Sequence, residues 1–258
     1  MGEVAALVDL KRRREIECRL TPDRALRSIE EAAAFLSDRG LMTRMQDSSL
    51  PSLFAACREE PSRPGGRGFD LWPKTKWIWS FQLASEQAVV TKLHGGKTLY
   101  LSRETALAFD PLVRRAIKSA TGDEARLLDH LAVHGESAID DVALELSWDR
   151  RRLKRARDRL ERAGAVISDG LVFHDLATSY LAPMQRWDQA IPAAPEPRLG
   201  DDPIADAVVA EVRAAVVTEE SDLRRWFSWP IQSRIVDQMV EAGRLLRPSP
   251  GWLTLGRG

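Results

Sequence analysis

Cysteine is nearly absent from this chain: Cys18 and Cys57 are the two in 258 residues. They are too few for a disulfide framework, and reduced thiols are expected. Histidine is scarce as well; the four stand at scattered positions and offer no zinc-type spacing, so no structural metal and no cofactor are expected. No apolar run approaches the roughly 20 residues that a membrane span needs. The opening MGEVAALVDLKRRRE places its apolar stretch ahead of its charges, the reverse of a secretory signal. A soluble, cytoplasmic protein with no membrane partner is the expectation. Net charge is missing too, because Lys+Arg and Asp+Glu number 38 each. That balance excludes a histone-like binder working through bulk charge, and it requires any polyanion site to be a local concentration of charge.

What is present is an ordinary globular composition, with length enough for one large domain or two to three small ones. Residues 1–20 carry Lys11-Arg12-Arg13-Arg14 and read as a charged, solvated helix or arm. Thr21 and Pro22 are placed to cap and open a helix whose apolar residues Leu26, Ile29, Ala33, Phe35 and Leu36 continue to Gly40. A short apolar helix entered at Pro51 covers Leu50 to Cys57, and Pro61 to Gly68 reads as a loop. In the aromatic stretch from Trp72 to Phe81, Trp77, Trp79 and Phe81 alternate as in a strand, while Trp77 and Phe81 also lie one helical turn apart. Helix is favoured, because a better strand pair follows at once. Gln87 to Leu93 and Thr98 to Ser102 flank the turn His94-Gly95-Gly96-Lys97, a hairpin pattern.

The later chain repeats itself. Glu124 to His134, Ile139 to Leu146 and Trp148 to Ala163 read as three helices, stopped at Gly164. Ala165-Val166-Ile167 and Leu171-Val172-Phe173 then flank the turn Ser168-Asp169-Gly170. Ile204 to Ala215, Glu219 to Phe227 and Pro230 to Ala242 run the same course, with Gly243 as the stop and Arg244 to Thr254 as a second hairpin. Ser147-Trp148 and Ser228-Trp229 precede the third helix of each copy, and Ala163-Gly164 and Ala242-Gly243 end it. The fold class expected is mainly α with small β-hairpin wings, arranged as tandem winged helix-turn-helix domains. The boundaries are an arm at 1–20, a winged-helix-like domain with a hairpin at 21–118, a central winged helix at 119–180, a linker at 181–202 and a final winged helix at 203–258.

Chemistry concentrates in the third helix of the central copy, DRRRLKRARDRLER. There Arg150, Arg151, Arg152, Arg155, Arg159 and Arg162, with Lys154 and Arg157, surround a narrow apolar stripe. Arginines on such a helix fork onto guanine edges or grip phosphates. Asp149, Asp158 and Glu161 offer helical-spacing partners that would instead lace the charge into a solvated surface. Lys92, His94 and Lys97 in the hairpin form a second candidate contact, since its two glycines permit close approach to a sugar-phosphate backbone; a plain turn is the alternative. Trp72, Trp77 and Trp79 read as core or seam residues before they read as base-stacking platforms. Trp148 and Trp229, repeated at one position, read as structural. Glu30-Glu31, Gln46-Asp47, Glu86-Gln87 and Asp140-Asp141 are adjacent pairs, the wrong relation for cooperating groups on one helix face. Gly95-Gly96-Lys97-Thr98 lacks the upstream glycine of a phosphate loop.

With those residues in view, the chain resembles the tandem winged-helix proteins grouped with the bacterial DNA glycosylase that removes alkylated bases and unhooks interstrand crosslinks. The resemblance runs from about residue 21 onward. It rests on Leu50-Pro51-Ser52-Leu53-Phe54-Ala55-Ala56, on Trp77-Ile78-Trp79-Ser80-Phe81-Gln82-Leu83 and on Thr91-Lys92-Leu93-His94-Gly95-Gly96-Lys97. It implies a concave basic surface with a hairpin, including His94 and Lys97, directed at a lesion. The family's catalytic triplet of glutamine, aliphatic residue, then glutamine or aspartate has no match before Gly40. Gln82-Leu83-Ala84 and Gln87-Ala88-Val89 lack the second polar member, so no catalytic residue is placed. The expected function is binding of duplex or damaged double-stranded DNA, with a monomer favoured. A glycosylase and a protein-interaction scaffold are the alternatives.

Overall fold

The computed structural model describes residues 2–57, 74–86, 88–168, 183–191, 202–229 and 231–256. Several expected features lie outside them: the loop at 61–68, Trp72, the turn at 169–170, the strand at 171–173 and the proline-rich run after Ile191. Helices dominate, joined by small antiparallel sheets.

Helix α1 (Gly2–Glu17) is not a detached arm. The Arg14 guanidinium donates to the Ser49 carbonyl at 2.8 Å, and the Lys11 ammonium stands 4.0 Å from the Trp252 ring centroid. Just past the helix, the buried Cys18 thiol reaches the Ala214 carbonyl at 3.7 Å, and burial pushes its pKa up to about 11. The chain's beginning is thus anchored to its last third.

The next helix, α2 (Ile29–Arg39), starts seven residues later than Thr21-Pro22 implied. Pro22–Arg24 makes a single 3-10 turn without a side-chain cap. The working cap is Ser28, whose hydroxyl accepts from the Glu31 amide while the Glu31 carboxylate accepts from the Arg27 amide, a close variant of the reciprocal capping box. Gly40 ends the helix at φ 81, a left-handed conformation suited to glycine. There follow β1 (Leu41–Thr43), α3 (Leu53–Cys57), α4 (Lys74–Glu86), β2 (Val89–His94) and β3 (Lys97–Leu101). The aromatic stretch is helical, as favoured, with Trp79 buried and Ile78 exposed. The first strand pairs with the last, giving the order β1-β3-β2, with Leu41 opposite Leu101 and Val89 opposite the same residue on the other side.

A long helix, α5 (Arg103–Ser119), capped by the Ser102 hydroxyl, leads to the second unit. That unit comprises α6 (Gly122–His134), α7 (Ile139–Glu145), α8 (Arg150–Arg162), β4 (Val166–Ser168), β5 (Met184–Arg186) and the short α9 (Trp187–Ala190). Ser137 bridges Met184, so again a segment after the first helix pairs with the last strand. The third unit runs α10 (Pro203–Ala215), β6 (Val217–Glu219), α11 (Glu220–Trp226), α12 (Ser233–Glu241), β7 (Leu245–Ser249) and β8 (Trp252–Leu255), in the sheet order β6-β8-β7. All three units therefore share one course: helix, extended segment, two helices, and two strands, with the first extended segment beside the last strand.

Residues 183–191, expected to be part of a linker, are instead built into the second unit. Met184 and Trp187 are wholly buried and Ile191 nearly so. Strand β5 completes the sheet of that unit, and the Trp187 indole donates to Asp110 on α5 at 2.8 Å, a carboxylate that Arg114 also grips. A buried tryptophan with its donor satisfied outweighs the turn-forming composition around it.

Among the described residues, three apolar clusters hold the units. One lies within the first unit and one within the second. The largest joins Phe109 and Val113 of α5 to Val208, Val212 and Trp226 of the third. The first and third units are thereby packed on a shared core, and the hairpin β2–β3 lies between α8 and α11.

Candidate nucleic-acid interface

Helix α8 begins with Asp149, whose carboxylate accepts from the Arg152 amide at 2.8 Å. Leu153, Ala156 and Leu160 enter the core of the second unit, which fixes the direction in which every other residue of the helix faces. The arginines then fall into two groups.

Those on the flanks are tied to acids. Arg152 forks onto Asp123 at 2.6 and 2.9 Å and stands 4.8 Å from the Trp148 ring centroid; Arg159 meets Glu124 at 2.8 Å. The bond to Arg152 holds the Asp123 carboxyl below its usual value, and Arg152 and Arg159 are raised by the same partnerships. Arg150 reaches Asp140 at 3.3 Å, and Arg157 meets the buried Glu161 at 2.9 Å. Acids on α6 and α7 thus pair with Arg150, Arg152 and Arg159, partners that helical spacing alone does not place, while the side chains of Arg150 and Arg159 stay 86% and 72% exposed.

The outward face is different. Arg151, Arg155 and Arg162 are spaced i, i+4 and i+11, directly opposite the core stripe, with Lys154 beside them. All four are exposed and make no ion pair among the described residues. Asp158 interrupts this face without covering it.

The hairpin is not a projecting probe. Lys92 is ion-paired with Glu161, which also accepts from the Ser168 hydroxyl at 2.5 Å. His94 is almost wholly buried; its Nε2 lies 3.1 Å from Asp47, and its Nδ1 makes no hydrogen bond of ordinary geometry among the described residues. Burial pushes this imidazole below its ordinary pKa, against the opposing pull of Asp47. Lys92, its side chain 32% exposed, is engaged by Glu161, and His94 is buried against Asp47. Lys97 remains 59% exposed, although Asp47 takes it at 2.6 Å. The glycines do permit a close approach, but to the protein itself. A Cβ on Gly96 would sit 2.9 Å from the Arg162 guanidinium carbon.

Two arrangements do not follow from the sequence pattern. Asp47, which beside Gln46 reads as a mere adjacent pair, is a carboxylate 17% exposed and oriented by His94 and Lys97 together. The histidines are also less scattered than their positions implied. His130 and His134 are one turn apart on α6, with rings stacked at 4.5 Å, and both approach Glu145 on α7, at 3.5 and 3.7 Å. That i, i+4 spacing is visible in the sequence, whereas the carboxylate is supplied by the fold. Among the described residues this is the group able to hold a metal ion, which corrects the expectation that no metal-type spacing exists.

Among the described residues, no helix is long and apolar enough to cross a membrane. Set against protein-family models, curated proteins and solved structures, the chain matches none.

Proposed function

We propose that this protein is a tandem winged-helix DNA-binding protein that holds duplex DNA on the outer face of α8 and the adjoining hairpin tip. The order of elements repeated three times, with the first extended segment beside the last strand, supports the winged-helix reading. In that plan α8 is the recognition helix of the central copy. The reading is narrower than composition implied: Arg151, Lys154, Arg155 and Arg162 are the contacts, while Arg150, Arg152 and Arg159 position the helix through their acid partners.

The observation that carries the proposal is the close approach of Arg162 to Gly96. It sets Arg162 beside the hairpin tip, and with Arg151, Lys154 and Arg155 on the same helix it supports a local concentration of positive charge, of the kind phosphate binding needs, on a protein with no net charge. Resemblance to the alkylated-base glycosylase group remains part of the proposal, as a source of fold and substrate class.

A shift assay on intact, abasic, alkylated and crosslinked duplexes, scored for retention and for strand scission after alkali, tests it. Retention of intact duplex at low salt is expected. Failure to retain any of the four duplexes would refute the proposal.

One observation favours excision as a second reading. A glycosylase needs a carboxylate that can position water at the anomeric carbon, and Asp47 is a partly exposed carboxylate held in place at the hairpin. Alkali-labile sites formed in the same assay would support that reading.

A further inference from the structure

We propose that His130, His134 and Glu145 form a binding site for a divalent first-row transition metal of the zinc class, tying α6 to α7. The three side chains come from two helices, so the site exists in the folded unit and not in any single segment. His130 and His134 are spaced so that both rings leave the same face of α6 near its C-terminal end, and Glu145 closes α7 opposite them.

Geometry separates this group from a casual ion pair. Both imidazole Nε2 atoms address the same carboxylate oxygen, Oε2 of Glu145, at 3.5 and 3.7 Å, and one donor atom from each residue lies within 4.8 Å of the others. Those nitrogen–oxygen separations are too long for hydrogen bonds of ordinary strength. They lie near the distance of about 3.4 Å between two ligand atoms on a tetrahedron whose metal bonds are about 2.0–2.2 Å. The rings are stacked, with centroids 4.5 Å apart and planes inclined by 23°, so a turn of the half-exposed His134 ring brings both Nε2 atoms onto one ion.

The donor set selects the ion. Two imidazoles and one carboxylate suit zinc, cobalt, nickel or copper, whereas calcium and magnesium require mainly oxygen. Three protein ligands leave a fourth position, and it opens to solvent because His134 and Glu145 are about half exposed. His130 is buried, so one ligand is fixed by packing and the other two close onto the metal from the surface. The ion would clamp α6 to α7 directly ahead of the turn through Ser147 and Trp148 that sets α8.

Titration calorimetry of the full chain with zinc chloride, paralleled by visible spectra with cobalt chloride, tests the assignment. One equivalent is expected to bind, with the intense visible bands of four-coordinate cobalt. H134Q and E145Q, at half-exposed positions where folding is preserved, should each weaken binding by about tenfold or more, as removal of a ligand does. D140N, on the same helix as Glu145 but outside the cluster, should not. Zinc should also raise the thermal midpoint of the wild type and leave that of an H134Q/E145Q double variant unchanged. Absence of binding at millimolar zinc, or binding that H134Q and E145Q leave intact, would overturn the assignment. Neither result bears on DNA retention, which is read separately.

Discussion

The Arg162 guanidinium lies against Gly96, so that a single added carbon at the hairpin tip would meet it at 2.9 Å. Gly96 also has φ 88, which an L side chain adopts at a cost of about 1–2 kcal/mol. Gly251, in the hairpin of the third unit, shares the positive φ at 76 but has open space where its Cβ would be. Gly96→Ala and Gly251→Ala should therefore lower stability to a similar extent in urea titrations. G96A alone should weaken duplex retention, because it displaces Arg162 from the local concentration of positive charge. Equal retention by the two variants would separate the hairpin tip from the DNA surface.

Gly164, which stops α8, is a stronger structural test. A Cβ there would lie 2.8 Å from Leu93 Cδ2 and 3.0 Å from Val113 Cγ2, both buried, at φ 79. Left-handed strain of about 1–2 kcal/mol adds to about 1–3 kcal/mol of overpacking. Gly164→Ala should thus cost at least about 2 kcal/mol in denaturant unfolding, more than either hairpin variant. A destabilisation below that of Gly251→Ala would show that the seam between α8, β2 and α5 is loosely packed.

Glu211 on α10 is wholly buried, and among the described residues neither carboxylate oxygen has a hydrogen-bond partner. Burial raises its pKa well above 4.5. The folded state then holds a proton that the unfolded state releases above pH 4.5, so stability falls as pH rises from there through the folded pKa. Glu211→Met, close in shape and without the charge, should stabilise the protein at pH 7 by about 1–3 kcal/mol, the cost of an unpaired buried polar group. The gain should shrink as pH falls toward 4.5. His94 acts in the opposite sense: its lowered pKa costs stability as pH drops below the unfolded value of 6.5, and Glu211→Met should leave that effect in place. Destabilisation by Glu211→Met at neutral pH would contradict the assignment of a neutral, unpartnered carboxyl.

Asp47 separates holding from cutting. Asp47→Asn keeps the shape and can still meet His94, but it cannot serve as a base. If the protein excises bases, this variant should lose strand scission after alkali by at least about 100-fold while retaining duplex in the shift assay, consistent with the usual contribution of a general base. Scission that survives the change would remove Asp47 from the chemistry.

The repeated units are legible in the sequence because their signals are local. Leu127, Leu128 and Leu131, or Leu153, Ala156 and Leu160, recur at helical spacing, and Gly164 and Gly243 stop the third helices. Strands β1 and β6 are three residues each, too short for any alternation to register. The charge pattern misleads for a related reason. Acids at helical spacing within α8 look like the natural partners of its arginines, while Asp123 and Glu124 stand on α6, 29 and 35 residues from Arg152 and Arg159. Pairing of that kind is set by how α6 crosses α8, and the apolar residues that decide the crossing say nothing of the acids beside them. The burial of Trp187 is hidden in the same way, since its partner Asp110 is 77 residues away.

The central claim is that the outward arginines of α8 grip phosphate and the flanking ones do not. Salt-dependent duplex binding by Arg151→Ala/Arg155→Ala, set against Arg152→Ala/Arg159→Ala, measures this directly. Removing one phosphate-gripping side chain should lower the slope of log affinity against log salt by about one. A decrease of about two is predicted for the first double variant and little change for the second, with both folded by circular dichroism. An unchanged slope and affinity in the Arg151 and Arg155 variant would contradict the account.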